Sequence, residues 1–246
     1  MGAVQHPLGG PALVTLVVTE RHRVARLARV RELVLVAQDA LFLSLAVVTG
    51  LASADVTKTA IIVAGLAGAV AGALSEATEA RLAARAADEL YDAEVAKELD
   101  EIGARPSVEV DELSILLQEE GIAPSDAAAA ASLIATSPRA LARTKVEKEL
   151  GLAHREHPAP RRDSLVGGVI YALAAVVALW PYILWNVPVA LVVSLVSAGV
   201  AVATLAAVRA RVLRVPFSRN GAEAALCAAA AGAGYLVGWL GEVWVG

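Results

Sequence analysis

Residues 57–102 read TKTAIIVAGLAGAVAGALSEATEARLAARAADELYDAEVAKELDEI, and this stretch decides the fold. Its first part, Thr57 to about Leu74, is built from small and apolar residues and carries one charge, Lys58. Its second part is rich in Ala, Glu and Leu, all good helix formers. Neither Gly nor Pro occurs between Gly72 and Gly103. The pattern predicts one long helix that crosses a membrane, leaves it near Glu76 and continues through water to about Ile102.

The rest of the chain fits that reading. Of its 246 residues, 57% are hydrophobic and 19% charged, and the mean hydropathy is +0.62. A soluble domain is about half apolar and about a quarter charged. Before the long helix, Leu33 to Leu51 forms a first apolar span, joined to it by a short loop in which Asp55 is a fair N-cap. Met1 to Glu20 lacks the basic start of a signal peptide. A loose polar beginning is expected there, with Ala12 to Thr19 a short amphipathic piece.

After Gly103 come three short helices: Val108–Glu120, ended by Gly121; Ser125–Thr136, with Ser125 as cap; and Pro138–Leu150, ended by Gly151. HREHPAPRRD is a basic, Pro-rich linker. Further spans follow at Leu165–Leu184, Val187–Val208 and about Ala222–Val245, the first two separated by a turn with Trp180, Pro181 and Trp185 as interfacial anchors. The predicted fold class is all-α and integral to the membrane, with five transmembrane helices and a cytoplasmic three-helix acidic insert. Its parts are an N-terminal segment (1–31), spans one and two (32–76), the insert (77–162) and spans three to five (163–246).

The charge pattern orients the molecule. Arg21, Arg23, Arg26, Arg29 and Arg31 precede span one, Arg161 and Arg162 precede span three, and Arg209, Arg211, Arg214 and Arg219 follow span four. With five spans these basic ends share one side, which the positive-inside rule makes the cytosol. The insert then lies in the cytosol too; residues 79–120 hold thirteen acids against four bases. A prokaryotic plasma membrane is expected, from a compact chain without visible sorting tails. One cysteine excludes an internal disulfide framework, and Cys227 in its Ala-rich run reads as a small buried hydrophobe. No basic, aromatic-interleaved stretch points to nucleic acid. Without a phosphate-cradling Gly loop, nucleophile elbow or CxxC, no enzyme chemistry is expected. Pro158 and Pro160 argue against a helix pairing His154 with His157, and so against a metal role for them.

Some polar groups need a reason to be where they are. Asp39 lies about two turns inside span one, where an ionised carboxylate costs roughly 2.5–3.5 kcal/mol. It is either satisfied by Gln38 or a neighbouring helix, or a cation or proton site. Glu32 and Glu76 are each 22 positions from Ala54, the centre of the span-one/span-two hairpin, and so share a depth near the cytoplasmic edge. They are either interfacial acids paired with Arg31 and Arg81, or, with Asp39, a carboxylate path suited to hard or borderline divalent cations. Glu94, Glu98 and Glu101 share one face of the long helix, with Asp88 and Asp92 on a separate stripe. That face is either solvated or compensated by a cation, because like charges in close helical spacing destabilise. Gly65, Gly68 and Gly72, and the Ala/Gly run Ala228–Gly238, read as close-packing or dimer faces.

Taken in order, several short motifs resemble the vacuolar iron transporter family. They are Arg31-Glu32; Asp39-Ala40-Leu41; Ala71-Gly72-Ala73-Leu74-Ser75; Tyr91 with Glu94; Glu149 to Leu152; and Pro181-Tyr182. The resemblance covers about residues 22–245 and implies a dimeric, proton-coupled exporter of Fe²⁺ or Mn²⁺ from the cytosol. The divalent ion is then substrate, with no cofactor, and metal ions, protons, membrane lipids and a second copy are the partners. By the same resemblance Glu98, Glu101 and Glu149 match acids that bind metal in the insert, and Glu32 and Asp39 match acids of the transport path; Glu94, on the same face as Glu98 and Glu101, and Glu76 are further candidate metal residues.

The chain also departs from the family pattern. Ala40 stands for a Gly, Gly68 for a Glu, Glu76 for a Met, Lys145-Val146 for a Met pair, and Ala87 and Leu90 for acids. With Met1 the only methionine, the donor set is oxygen alone. The alternative is a non-transporting membrane scaffold whose acidic insert serves as a docking module.

Overall fold

The computed structural model describes residues 10–152, 160–213 and 221–245, and among these there is helix and no strand. The elements are α1 (Gly10–Ser53), α2 (Lys58–Ala104), α3 (Pro106–Glu119), α4 (Pro124–Ile134), α5 (Pro138–Leu150), α6 (Pro160–Leu179), α7 (Pro181–Leu184), α8 (Val187–Leu213) and α9 (Gly221–Val245). The chain divides into two compact units, one made of Met1–Thr78 with Asp163–Gly246, the other of Glu79–Arg162. The long helix expected from residues 57–102 is α2, 47 residues without a break.

In the first unit α1 is the central helix. Val36, Ala37, Ala40, Leu41 and Leu45 of α1 pack with Tyr171, Ala174 and Ala178 of α6, Ala198 and Val202 of α8, and Cys227 and Ala231 of α9. Cys227 is free and buried, as its surroundings predict. A second cluster joins Val48, Ile61, Leu179, Tyr182 and Ala190. Small residues bring backbones together. A Cβ on Gly50 would stand 2.9 Å from the Gly234 carbonyl oxygen, and one on Gly238 would overlap the Gly50 carbonyl. Thr49 Oγ1 donates to the Ala231 carbonyl at 3.0 Å, and Ser53 Oγ to the Tyr235 carbonyl at 2.8 Å, across the same seam. The Ala228–Gly238 run is thus a packing face against α1. On α2, a Cβ at Gly65 would strike Leu179 and one at Gly72 the ring of Tyr171, whereas Gly68 faces open space.

Large apolar side chains point outward over this unit, among them Leu35, Val63, Leu66, Val70, Leu173 and Val196. Contiguous exposed apolar surface on this scale belongs in contact with lipid or protein. Among the described residues four helices are long and apolar enough to cross a membrane: Thr15–Ser53, Lys58–Ala104, Val187–Val212 and Ala222–Trp244. Ser164–Leu179 is a shorter apolar helix.

The second unit packs the end of α2 with α3, α4 and α5 around Ile102, Leu113, Leu117, Ala127, Ala131, Leu141 and Ala142. Gly121 (φ +94°) and Gly151 (φ +66°) take the left-handed conformation as their helices end, which a side chain would resist. The Ser137 hydroxyl accepts from the Ala140 amide, capping α5.

Four local expectations are corrected. The loose beginning expected up to Glu20 gives way to helix from Gly10, and α1 runs unbroken from there through the Leu33–Leu51 span, because Gly and Pro are absent between Pro11 and Gly50 and the intervening ERHRVARLARVREL is rich in good helix formers. Thr57, not Asp55, caps α2, accepting from the Ala60 amide at 3.3 Å. Asp55 itself sits at φ +48° in the turn, a conformation that Asp tolerates better than most residues. Pro124 rather than Ser125 opens α4, its ring taking the first helical position after Ala123. The apolar run 165–184 is divided at Pro181 into α6 and α7, and Trp180 and Trp185 meet edge to face at 5.5 Å around the break. His154 and His157 lie outside the described residues.

Candidate ion path and acidic cluster

Three elements of the membrane unit converge on Tyr171. Gly72 makes room on α2 for the tyrosine ring. One turn further along α2, Glu76 is half-buried, and its Oε1 lies 3.6 Å from where a Cβ on Gly167 would stand. Gly168 lets α6 close on α2 to the point where a Cβ would sit 2.7 Å from the Ala73 carbonyl oxygen. The sequence predicts a role for Asp39 and Glu76; the tyrosine that fills the space left by Gly72, one turn from Glu76, was not legible, since nothing in its apolar run marks it out.

Asp39 is exposed on α1, bracketed by Leu35 and Leu43, each about half exposed. Glu32 is exposed on the same face, seven residues before it. Among the described residues no hydrogen bond or ion pair holds the Asp39 carboxylate. Gln38 does not serve it: its Nε2 donates instead to Glu223 Oε2 at 2.7 Å. The other oxygen of Glu223 is ion-paired with Arg209. Glu223 lies in the first turn of α9, where the helix dipole favours an anion, and it is a second polar group that a reading of the apolar spans passes over.

In the helical unit Glu79–Arg162 the acids meet a cation of the chain itself. Oxygens of Glu98, Glu101 and Glu109 lie within 4.8 Å of one another. Lys145, 1% exposed, reaches the same place from α5. Its Nζ lies 2.5 Å from Glu98 Oε1 and 2.7 Å from Glu112 Oε2, and it donates a hydrogen bond to Glu109 Oε2. Arg105 approaches the remaining Glu109 oxygen at 3.8 Å. Lys97 stands 3.9 Å from both Glu94 and Glu101. Glu94 and Glu149 are not members of the three-carboxylate group; Glu149 is exposed near the end of α5.

Burial raises the Glu98 carboxyl above its ordinary pKa despite the pull of Lys145. Glu109 is fully buried by its surface, yet burial is outweighed there by the hydrogen bond and charge of Lys145, and its pKa falls. For Lys145, burial pulls down, hydrogen bonds to Glu109, Glu112 and Glu98 push up, and the net direction is up. This ammonium is therefore held charged among carboxylates. A divalent ion at Glu98 and Glu109 would have to share the same oxygens with it, so this donor set does not fit a resident metal. Lys145 stood out in the sequence only as a replacement for Met; its burial depends on how α5 packs.

A helical multi-pass membrane protein with an acidic helical unit following its second span is the class defined by these features. The VIT family pattern matches residues 30–239 of the chain, and the chain belongs to that family. It is 31% identical over 167 residues to vacuolar iron transporter 2 of Oryza sativa subsp. japonica, covering 67% of this chain and 66% of that protein. It is 30% identical over 169 residues to vacuolar iron transporter 1 of Arabidopsis thaliana, covering 68% and 66%. A vacuolar iron transporter of Centaurea cyanus is 31% identical over 156 residues, 62% of each chain. The chain thus spans just under two thirds of the length of these relatives. Their names are vacuolar, which lends no support to the expectation of a prokaryotic plasma membrane.

Proposed function

We propose that the chain transports divalent metal ions, Fe²⁺ or Mn²⁺, out of the cytosol as a homodimer, in exchange for protons. Ser164–Leu179 extended by α7 serves as a further span, so that five cross the membrane and the arginine-rich ends share the cytosolic face with the acidic unit. The observation that carries this reading is the placement of Asp39. It is an acid without a hydrogen-bonding or ion-pairing partner among the described residues, exposed between Leu35 and Leu43. Facing lipid, an ionised carboxylate there costs roughly 2.5–3.5 kcal/mol. Facing its counterpart in a second copy across a wetted seam, it has a use. Glu32, on the same face, gives the ion a first oxygen near the cytosol, and Glu76 flanks the passage beside Tyr171. Carboxylates bind metal when deprotonated, so a proton arriving on Asp39 releases the ion. Membership of the VIT family and the similarity to iron transporters support the substrate class.

Reconstituted in liposomes, the chain should carry Mn²⁺ or Fe²⁺ at a rate that depends on an imposed pH gradient. Asp39→Ala should abolish that flux. Undiminished flux in the variant removes Asp39 from the path, and flux indifferent to the pH gradient replaces the antiporter with a channel. The scaffold reading is favoured by one observation, the lysine lodged in the acidic cluster, and flux above protein-free liposomes would overturn it.

A further inference from the structure

We propose that Lys145 is the built-in cation of the acidic helical unit. Its ammonium holds the position a divalent ion would take among Glu98, Glu109 and Glu112, so that the unit folds without metal and binds none at these carboxylates. The inference goes beyond the transport reading and does not depend on it, since it concerns a cluster that the membrane passage does not include.

The geometry is specific. Lys145 and Glu109 are 1% and 0% exposed, and Nζ meets oxygens from both α2 and α3. Lysine has three donors; here Nζ donates to Glu109 and Glu112 and stands in ion-pair contact with Glu98 Oε1. It also reaches from α5 to α2 and α3, so the charge contact and the apolar core around Ile102, Leu113, Leu141 and Ala142 form together. The buried carboxylates need a counter-charge to remain ionised. A metal ion would supply that charge only when bound, whereas the tethered ammonium supplies it always. The consequence is a unit whose shape does not depend on the concentration of the transported ion.

Amine acetylation of the full chain in detergent micelles, read residue by residue by mass spectrometry, tests this directly. Lys97 and Lys148, 68% and 31% exposed, should be modified, while Lys145 stays unmodified both in chelator and in millimolar Mn²⁺. Modification of Lys145 on adding Mn²⁺ would mean that metal displaces it, and the proposal falls. A second arm counts bound Mn²⁺ in an Asp39→Ala background, where the membrane passage is silenced. Lys145→Met should gain one Mn²⁺ per chain, and Glu109→Gln should remove the gained ion. A folded Lys145→Met chain that gains no Mn²⁺ overturns the proposal, as does a Lys145-containing chain that loses one Mn²⁺ on Glu109→Gln. If Lys145→Met folds only with Mn²⁺ present, the ion has replaced the ammonium and the proposal holds. If it folds under neither condition, the acetylation of the unaltered chain decides. Failure of transport would leave every one of these readouts intact.

Discussion

Two side chains carry most of the proposed chemistry, and they are opposites. Asp39 is a carboxylate without an ion-pair partner among the described residues, flanked on its helix face by Leu35 and Leu43; Lys145 is an ammonium surrounded by carboxylates. Removing each should therefore act differently. Asp39→Asn keeps the shape and an amide's polarity but discards the titratable charge, so thermal stability should hold while liposome flux is lost. Lys145→Ala leaves Glu98 and Glu109 buried without their main counter-charge. Breaking a buried pair in this way costs about 3–5 kcal/mol, and chemical denaturation followed by helix content should show the loss in the acidic unit. Conserving the charge with Lys145→Arg does not conserve the site. The larger guanidinium spreads its donors in one plane over three nitrogens and cannot converge a single compact charge on Glu98, Glu109 and Glu112 as the ammonium does, and a smaller loss of the same sign is expected.

At the scale of elements, close helix approach and charge placement make separable predictions. The α1–α9 seam has carbonyl oxygens where side chains would otherwise stand, so Gly238→Val forces backbone against backbone at Gly50. Overpacking costs about 1–3 kcal/mol or more when the neighbour cannot move. A thermal melt in detergent should fall for this variant and remain level for Gly68→Ala, where a Cβ meets nothing. The acidic unit should respond to pH with two opposite signs. Glu109 has a lowered folded pKa, so its stabilising contribution is complete above the ordinary glutamate value of 4.5 and is lost as the pH falls through the folded value. Glu98 has a raised folded pKa, so protonating it favours the fold as the pH drops through that value. Lys145, raised above 10.5, loses its contribution only in strong alkali. The unit should therefore keep or gain stability on acidification from neutrality towards pH 4.5 and weaken below it, as denaturation at stepped pH would read.

For the molecule as a whole, the exposed line of Glu32, Leu35, Asp39 and Leu43 on α1 is the face the proposed dimer covers. Cys227 is the only cysteine. In a Cys227→Ser background, Leu43→Cys should cross-link between copies under mild oxidation in liposomes, and Val63→Cys, exposed on α2, serves as the comparison. Equal cross-linking at both positions would remove α1 from the interface.

The sequence alone determined the helical class, the unbroken α2, the Gly121 and Gly151 helix ends and the three short helices, because hydropathy, helix-forming composition and Gly or Pro stops are local properties that act within a few turns. It also singled out Asp39, Glu76 and Glu98, since an acid in an apolar run, or many acids on one face, can be read without knowing its neighbours. Only the tertiary structure decided that Tyr171 fills the space left by Gly72, that Gln38 turns to Glu223, and that Lys145 enters the acidic cluster. Those contacts join residues far apart in the chain, and a charge is free or compensated according to what packing brings within a few ångströms of it.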